Sequence, residues 1–282
     1  MKGLLMRIRF QLPSLPRAER VVAEALLENP EAISGLTLAQ LAKETGSSDA
    51  SIIRFCRRMG FKGYTDFKTA LGCRRDLSDE DEEKENQDSM MVILKKVFRG
   101  NMQTLTDTLS LATTNYDEAL NAMVKAKSIH FFGVGDAYAV CRMAHMKISR
   151  LGISGSAYSD VTQQLVAAAN IKPGDVAFSV SYEGRSRNVV EAMKIAKERG
   201  AVTICITKMN KSPLLHYVDI ALFISVSDLT IGREKVARRV ADQAILDALF
   251  VGMSIRMGKE AVKKMQDTHK VMEINKIKRK EG

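Results

Sequence analysis

The chain carries TLAQLAKETG at residues 37–46, followed at once by SSDASIIRFCRRMGF at 47–61. Thr37 and Gln40 have the spacing of a capping box. Leu36, Leu38, Leu41 and Ala42 share one helical apolar face. Gly46 suits the left-handed residue that ends such a helix. Ser48 or Asp49 then opens a second helix, with an oxygen placed to satisfy its orphan amides. There Ile52, Phe55 and Met59 recur at helical spacing and point inward, which leaves Ser51, Arg54, Arg57 and Arg58 outward. Two short helices joined by a tight turn, the second one basic, read as a helix-turn-helix. Such a recognition helix sets its first turn on base edges and its basic residues on phosphates and guanines. Asp49, Ala50 and Ser51 are therefore expected near base edges, Arg54 at a base or a phosphate, and Arg57 and Arg58 at phosphates. Thr37, Ser48 and Lys62 complete the expected contact set for double-stranded DNA.

The flanks agree with an all-helical region over 1–75. A helix opened by Pro16 runs to about Leu27, with Val21, Val22, Ala25 and Leu26 as its expected buried side, and Asn29 with Pro30 breaks it. A short helix spans 31–34, and 64–71 forms another with Phe67 and Leu71 packing back. The acidic run DEDEE at 79–83 follows, and residues 76–88 read as a solvated linker. From 89 a second region runs to 282. Its first helix carries Met91, Leu94, Phe98, Met102 and Leu105 on one stripe, expected as core or as a contact with a second copy.

The 282 residues carry a formal net charge of +10, with the first 75 and the last 27 residues basic. That balance suits a polyanionic partner. Cys56, Cys73, Cys141 and Cys205 lie far apart, and His130, His145, His216 and His269 show no metal-ligand spacing. Neither a metal nor a cofactor is expected. No apolar stretch approaches the roughly 18 residues of a membrane span, and residues 1–10 lack the apolar core of a secretory leader. A cytoplasmic protein is expected, without a membrane partner.

From Ser128 the periodicity changes. SIHFFGVG at 128–135, DVAFSVS at 175–181, VTICIT at 202–207 and DIALFIS at 219–225 read as strands, with 153–158 a weaker one. Helices over about 138–151 and 188–199 fall between them. Strands alternating with helices predict a parallel sheet covered on both faces, so the fold class is an all-helical domain joined to an α/β domain. Ligands of such sheets sit at the carboxyl ends of strands. That places Gly133, Gly135, Asp136 and Ala137 of one loop, and Ser181, Glu183, Gly184, Arg185 and Ser186 of another, around a ligand. A dinucleotide fingerprint fails, because Tyr138 stands where its third glycine is needed.

Over nearly its whole length the chain resembles the RpiR-type transcriptional regulators, in which a helix-turn-helix is joined to a SIS (sugar isomerase) domain. In the first region the resemblance rests on Gly46, Ser48, Ala50, Ser51, Ile52, Arg54, Phe55, Cys56, Arg57 and GFKG at 60–63. In the second it rests on FGVG at 132–135, Ser181, Gly184, Arg185, Ser186, SPL at 212–214, and Arg239 and Asp247 in a closing helix over 236–253. It implies a homodimer or homotetramer that binds a palindromic operator and senses a phosphorylated sugar. The two recognition helices would then stand about 34 Å apart, one DNA turn.

Two departures bear on the ligand. The family's first loop places a phosphate-gripping serine where this chain has Ala137, and its second loop places a hydroxyl where this chain has Glu183. Asp136 and Glu183 beside an anion are costly in a partly dry pocket. Arg185 and Arg187, on a loop, are expected in solvent. The sequence thus leaves open a phosphosugar held by Ser181, Ser186 and loop amides, an amino sugar or hydroxyl-rich ligand, and a purely structural SIS domain. Isomerases share this fold and use a carboxylate base. Glu183 lies in the phosphate loop rather than opposite a sugar's reacting carbons, His130 lies in a strand, and His216 lies at a helix start. No catalytic residue is expected. The lysine-rich tail over 258–282 is expected as a solvated helix packed on the second domain and frayed after Ile277.

Overall fold

A computed structural model describes residues 2–71, 89–228, 230–231 and 234–275. The expected linker at 76–88, Cys73 and the expected fraying after Ile277 lie outside the described residues. The chain forms two compact units. The first gathers the described residues of Met1–Thr113, Met209–Lys211 and Ile224–Ala237, and the second those of Thr114–Lys208, Ser212–Phe223 and Arg238–Gly282.

In the first unit, α1 (Lys2–Gln11) and α2 (Arg17–Glu28) precede α3 (Pro30–Gly35), α4 (Leu38–Thr45), α5 (Asp49–Arg58) and α6 (Tyr64–Leu71). The buried side of α2 is Glu19, Val22, Ala23 and Leu26. Val21 is 39% exposed and Ala25 only partly buried. The stripe is therefore turned by about one residue from the expected one, and it follows the i, i+3, i+4, i+7 rule. Leu41, Ile52, Phe55, Met59 and Phe67 fill the core, with the Phe55 and Phe67 rings edge-to-face at 5.6 Å. Both members of the capping box are present, since Thr37 accepts from the Gln40 amide while Gln40 accepts from the Thr37 amide. Gly46 ends α4 at φ 62°.

The long helix α7 (Met90–Ser110) groups with this unit rather than at the head of the second. Its apolar stripe is not core: Met91 and Phe98 are 58% and 60% exposed, and Leu94, Met102 and Leu105 are exposed as well. Thr104, Asp107 and Thr108 face inward instead. The cause is backbone demand. The Ser227 amide donates to Thr104 Oγ1 at 2.9 Å, and Thr108 Oγ1 donates to the Ser225 carbonyl at 3.0 Å. A buried chain segment without ladder partners must find hydroxyls.

The second unit opens with α8 (Asn115–Lys125) and β1 (Ser128–Phe132). It continues through α9 (Asp136–Ser149), β2 (Ser154–Tyr158), α10 (Val161–Asn170), β3 (Val176–Val180), α11 (Arg187–Glu198), β4 (Val202–Lys208) and β5 (Ile220–Ile224). The strand order is β2-β1-β3-β4-β5, with β1 paired in parallel to both β2 and β3, and β3 to β4. Every residue of β3 is buried, as an inner parallel strand requires. β6 (Thr230–Ile231) and β7 (Glu234–Lys235) make a short antiparallel pair. α12 (Arg238–Met257) and α13 (Lys259–Met272) close the unit. Ala261 is buried while Val262, Val271 and Met272 are exposed, so α13 is a largely solvated helix. No helix among the described residues is long and apolar enough to cross a membrane.

Candidate functional site

The helix-turn-helix is organised by its second cap. Ser48 Oγ accepts from the Ser51 amide and pairs with Ser51 Oγ at 2.9 Å. Arg54 Nη2 donates to the same Ser51 hydroxyl at 2.9 Å. Ser51 is consequently buried, not outward as its helical position suggested, because the cap draws its hydroxyl inward. Thr37, Ser48, Asp49, Ala50, Arg54, Arg57 and Lys62 are exposed. Arg58 is exposed too, but its Nε donates to Glu19 Oε2 at 2.6 Å. That bond holds the Arg58 guanidinium above its ordinary value.

In the second unit the two glycine loops follow the adjacent strands β1 and β3 and lead into α9 and α11. Neither helix has a side-chain cap, so both present amide dipoles at the strand ends. α9 begins at Asp136, earlier than the pattern suggested, which puts Asp136 and Ala137 in its first turn. A side chain on Gly133 would meet Ala137 and Cys141 Sγ at 3.0 Å. One on Gly184, at φ +62°, would lie 2.3 Å from Ser212 Oγ. The Gly184 carbonyl accepts from the Leu214 amide at 3.2 Å, which seats the second loop on the 3-10 helix Pro213–Tyr217. Gln164 Nε2, fully buried on α10, donates to the carbonyls of Gly133 at 2.8 Å and Tyr158 at 2.9 Å.

Charge is where the structure adds most. Arg238 Nη2 and Arg239 Nε both donate to Asp136 Oδ2, at 2.9 and 2.8 Å. Burial pushes the Asp136 carboxyl up, but Arg239 and Arg238 outweigh it and hold the group below its ordinary value. Arg239 Nη1 also pairs with the buried Asp242, whose carboxyl burial pushes up to about 6 against the pull of Arg239 and Arg238. Lys208 Nζ bonds both oxygens of Glu183, at 2.7 and 2.6 Å. Lys208 and Arg238 lie over the Tyr182 ring, 5.4 and 5.5 Å from its centroid. Arg185 and Arg187 are exposed, while Ser181 is buried and Ser186 half-buried. The cations that answer Asp136 and Glu183 are thus Arg238, Arg239 and Lys208. Sequence reasoning missed their role, although Arg239 stood among the resembling positions.

Of the groups an isomerase could use, Glu183 and His130 have partners within the chain. His130 bonds the Ser128 hydroxyl at 2.8 Å and the Tyr158 hydroxyl at 3.0 Å. Burial lowers its basicity, against the pull of Asp175. His216 is exposed on the 3-10 helix.

Residues 2–78 match the helix-turn-helix domain of the rpiR family, and residues 122–252 match the SIS domain. The chain is 34% identical over 280 residues to an uncharacterized HTH-type transcriptional regulator of Caldanaerobacter subterraneus, covering 98% of this chain and 99% of that one. The chain belongs to the RpiR family of transcriptional regulators. A second relative, the HTH-type transcriptional regulator HexR of Pseudomonas aeruginosa, is 31% identical over 261 residues, covering 92% and 91% of the two chains. The solved structure of Vibrio vulnificus NanR complexed with ManNAc-6P is similar at 26% identity and a TM-score of 0.61, covering 98% of this chain and all of that one. This RpiR-type chain is therefore a helix-turn-helix transcriptional regulator carrying a SIS domain.

Proposed function

We propose that this regulator reads a palindromic operator as a dimer through α5. Its SIS domain senses a phosphorylated sugar, or a sugar derivative close to one, and so ties gene expression to carbohydrate metabolism. The observation that carries the effector reading is the pair of uncapped helix starts, α9 and α11, at the ends of adjacent strands. Backbone amides of that kind favour an anion. The likeness to NanR, whose structure holds ManNAc-6P, supports the same ligand class. Around the ligand stand Gly133, Gly135, Asp136, Ala137, Ser181, Glu183, Gly184, Arg185 and Ser186, and we add Arg238, Arg239 and Lys208 for their position on the charged members of that set.

On DNA, the exposed Asp49 and Ala50 stand at base edges, with Arg54 beside them, steadied by Ser51. Arg57, Lys62, Thr37 and Ser48 meet the backbone. We assign Arg58 to holding α5 on α2. The exposed stripe of α7 supports contact with a second copy. We read the chain as a cytoplasmic protein without catalytic activity, because Glu183 is bound by Lys208 and His130 is engaged by Ser128 and Tyr158.

The test is fluorescence anisotropy on DNA from upstream of the chain's own gene, at fixed salt because affinity depends on it. Phosphosugars and their unphosphorylated parents are titrated in parallel. Binding that a phosphosugar shifts, and its parent sugar does not, is the expected result. Operator binding that no sugar compound alters would remove the sensor.

A further inference from the structure

Asp136 stands in the first turn of α9, where an anionic ligand of this fold would meet the helix start. Two guanidinium groups from the first turn of α12 converge on one of its oxygens, Oδ2, at 2.9 and 2.8 Å. Two charge-assisted donors on a single oxygen form a clamp for an oxyanion, and the chain fills that clamp itself. Arg238 is further placed by the Tyr182 ring and Arg239 by Asp242. Lys208, also over the Tyr182 ring, is engaged by Glu183.

We propose that the Asp136 carboxylate is an internal competitor for the anion position of the effector site. It occupies Arg238 and Arg239 and thereby sets how strongly a sugar phosphate binds. The inference rests on the reading of this site as the effector site. A tethered carboxylate competes at a local concentration that free effector rarely matches. A sugar phosphate must therefore displace Asp136 and leave its carboxylate close to a second anion. Ser212 Oγ, buried beside Gly184, has no hydrogen-bond partner among the described residues. Asp136 is a specificity-determining residue that raises the effector concentration needed for a response.

The full-length protein and two variants, Asp136→Asn and Asp136→Ser, are titrated calorimetrically with inorganic phosphate and with N-acetylmannosamine 6-phosphate, at one salt concentration. Operator binding is measured alongside as a check on folding. Both variants are expected to bind both probes about ten-fold tighter than the parent or better, the scale of one regained charge-assisted contact. Adding Arg239→Gln to Asp136→Asn should abolish most of that gain. Folded variants that bind no tighter than a parent which itself binds the phosphosugar would overturn the competitor role and leave the sensor reading standing. If neither parent nor variants bind either probe while operator binding persists, the competitor role and the phosphosugar reading fall together.

Discussion

Arg58 Nε lies 2.6 Å from Glu19 Oε2, and this bond ties the end of α5 to the first turn of α2. The Glu19 side chain is only 4% exposed. Removing its partner leaves a buried carboxylate uncompensated, which is far more harmful than losing a surface pair. Arg58→Ala should lower the melting temperature of the N-terminal unit by on the order of 5 °C, read by circular dichroism. An unshifted transition together with weakened operator binding would return Arg58 to the DNA face.

Its neighbours behave differently. Arg57→Ala should leave the melting temperature in place, weaken binding to all DNA sequences alike, and reduce the slope of log affinity against log salt by about 1. Arg54→Ala should cost roughly 1–3 kcal/mol on the operator and relax sequence preference, if the guanidinium steadied by Ser51 reads a base. Anisotropy on operator and scrambled duplexes separates the two effects.

Gln164 is a buried support of the first glycine loop. Gln164→Leu takes the donor from the carbonyls of Gly133 and Tyr158 together. The expected loss is about 2 kcal/mol in urea unfolding, with weaker effector response at unchanged operator affinity. A variant as stable as the parent would show that water replaces the amide.

Asp242 gives the protein a pH signature. Its ordinary value is 3.8 and its folded value about 6, so the folded state takes up a proton between them. A carboxyl raised in this way opposes folding above about pH 6, and the penalty fades as the pH falls toward 4. The stability of the parent relative to Asp242→Asn should therefore drop as the pH rises from 4 to 7, by about 3 kcal/mol at most. Asp136 works in the opposite sense. Its lowered carboxyl contributes stability above its ordinary value and loses it on acidification. The two carboxyls share Arg239, so urea melts of the pair across pH read Asp242 together with the change it makes at Asp136. A constant difference would mean that Asp242 does not titrate in this range.

The α7 stripe makes a prediction about assembly. Phe98→Asp combined with Met102→Asp places two charges on exposed apolar positions. Sedimentation should show the parent as a dimer and the double variant shifted toward monomer, with operator affinity falling in step. A parent that sediments as a monomer at micromolar concentration would remove the stripe from any self-contact.

Local chemistry was legible in the sequence. The box at Thr37 and Gln40, the stop at Gly46 and the cap at Ser48 each act within a few residues, and all three are present. The apolar runs of β1, β3, β4 and β5 announced the sheet, while β2, with the sequence SGSAY at an edge, gave a weaker signal because an edge strand needs little apolar surface. Periodicity told which residues of α7 share a face. It did not tell which way that face looks, because the answer depends on Ser225 and Ser227, more than 110 residues away. The site followed the same rule. Its glycines and hydroxyls stood in readable loops, but Arg238 and Arg239 reach Asp136 across 102 and 103 positions. No window of sequence contains that encounter.

The pairing of Thr104 and Thr108 with Ser227 and Ser225 also orders events in time. A ribosome adds roughly 5–20 residues per second, so several seconds separate the emergence of α7 from that of the segment that satisfies its inner face. All the strands of the parallel sheet emerge in that interval. The N-terminal unit is therefore the first to be started and cannot be finished until the sheet has been synthesised. Ribosome stalling within β5 should trap nascent chains whose helix-turn-helix helices have formed while the Thr104 and Thr108 hydroxyls of α7 still await their backbone partners at Ser227 and Ser225.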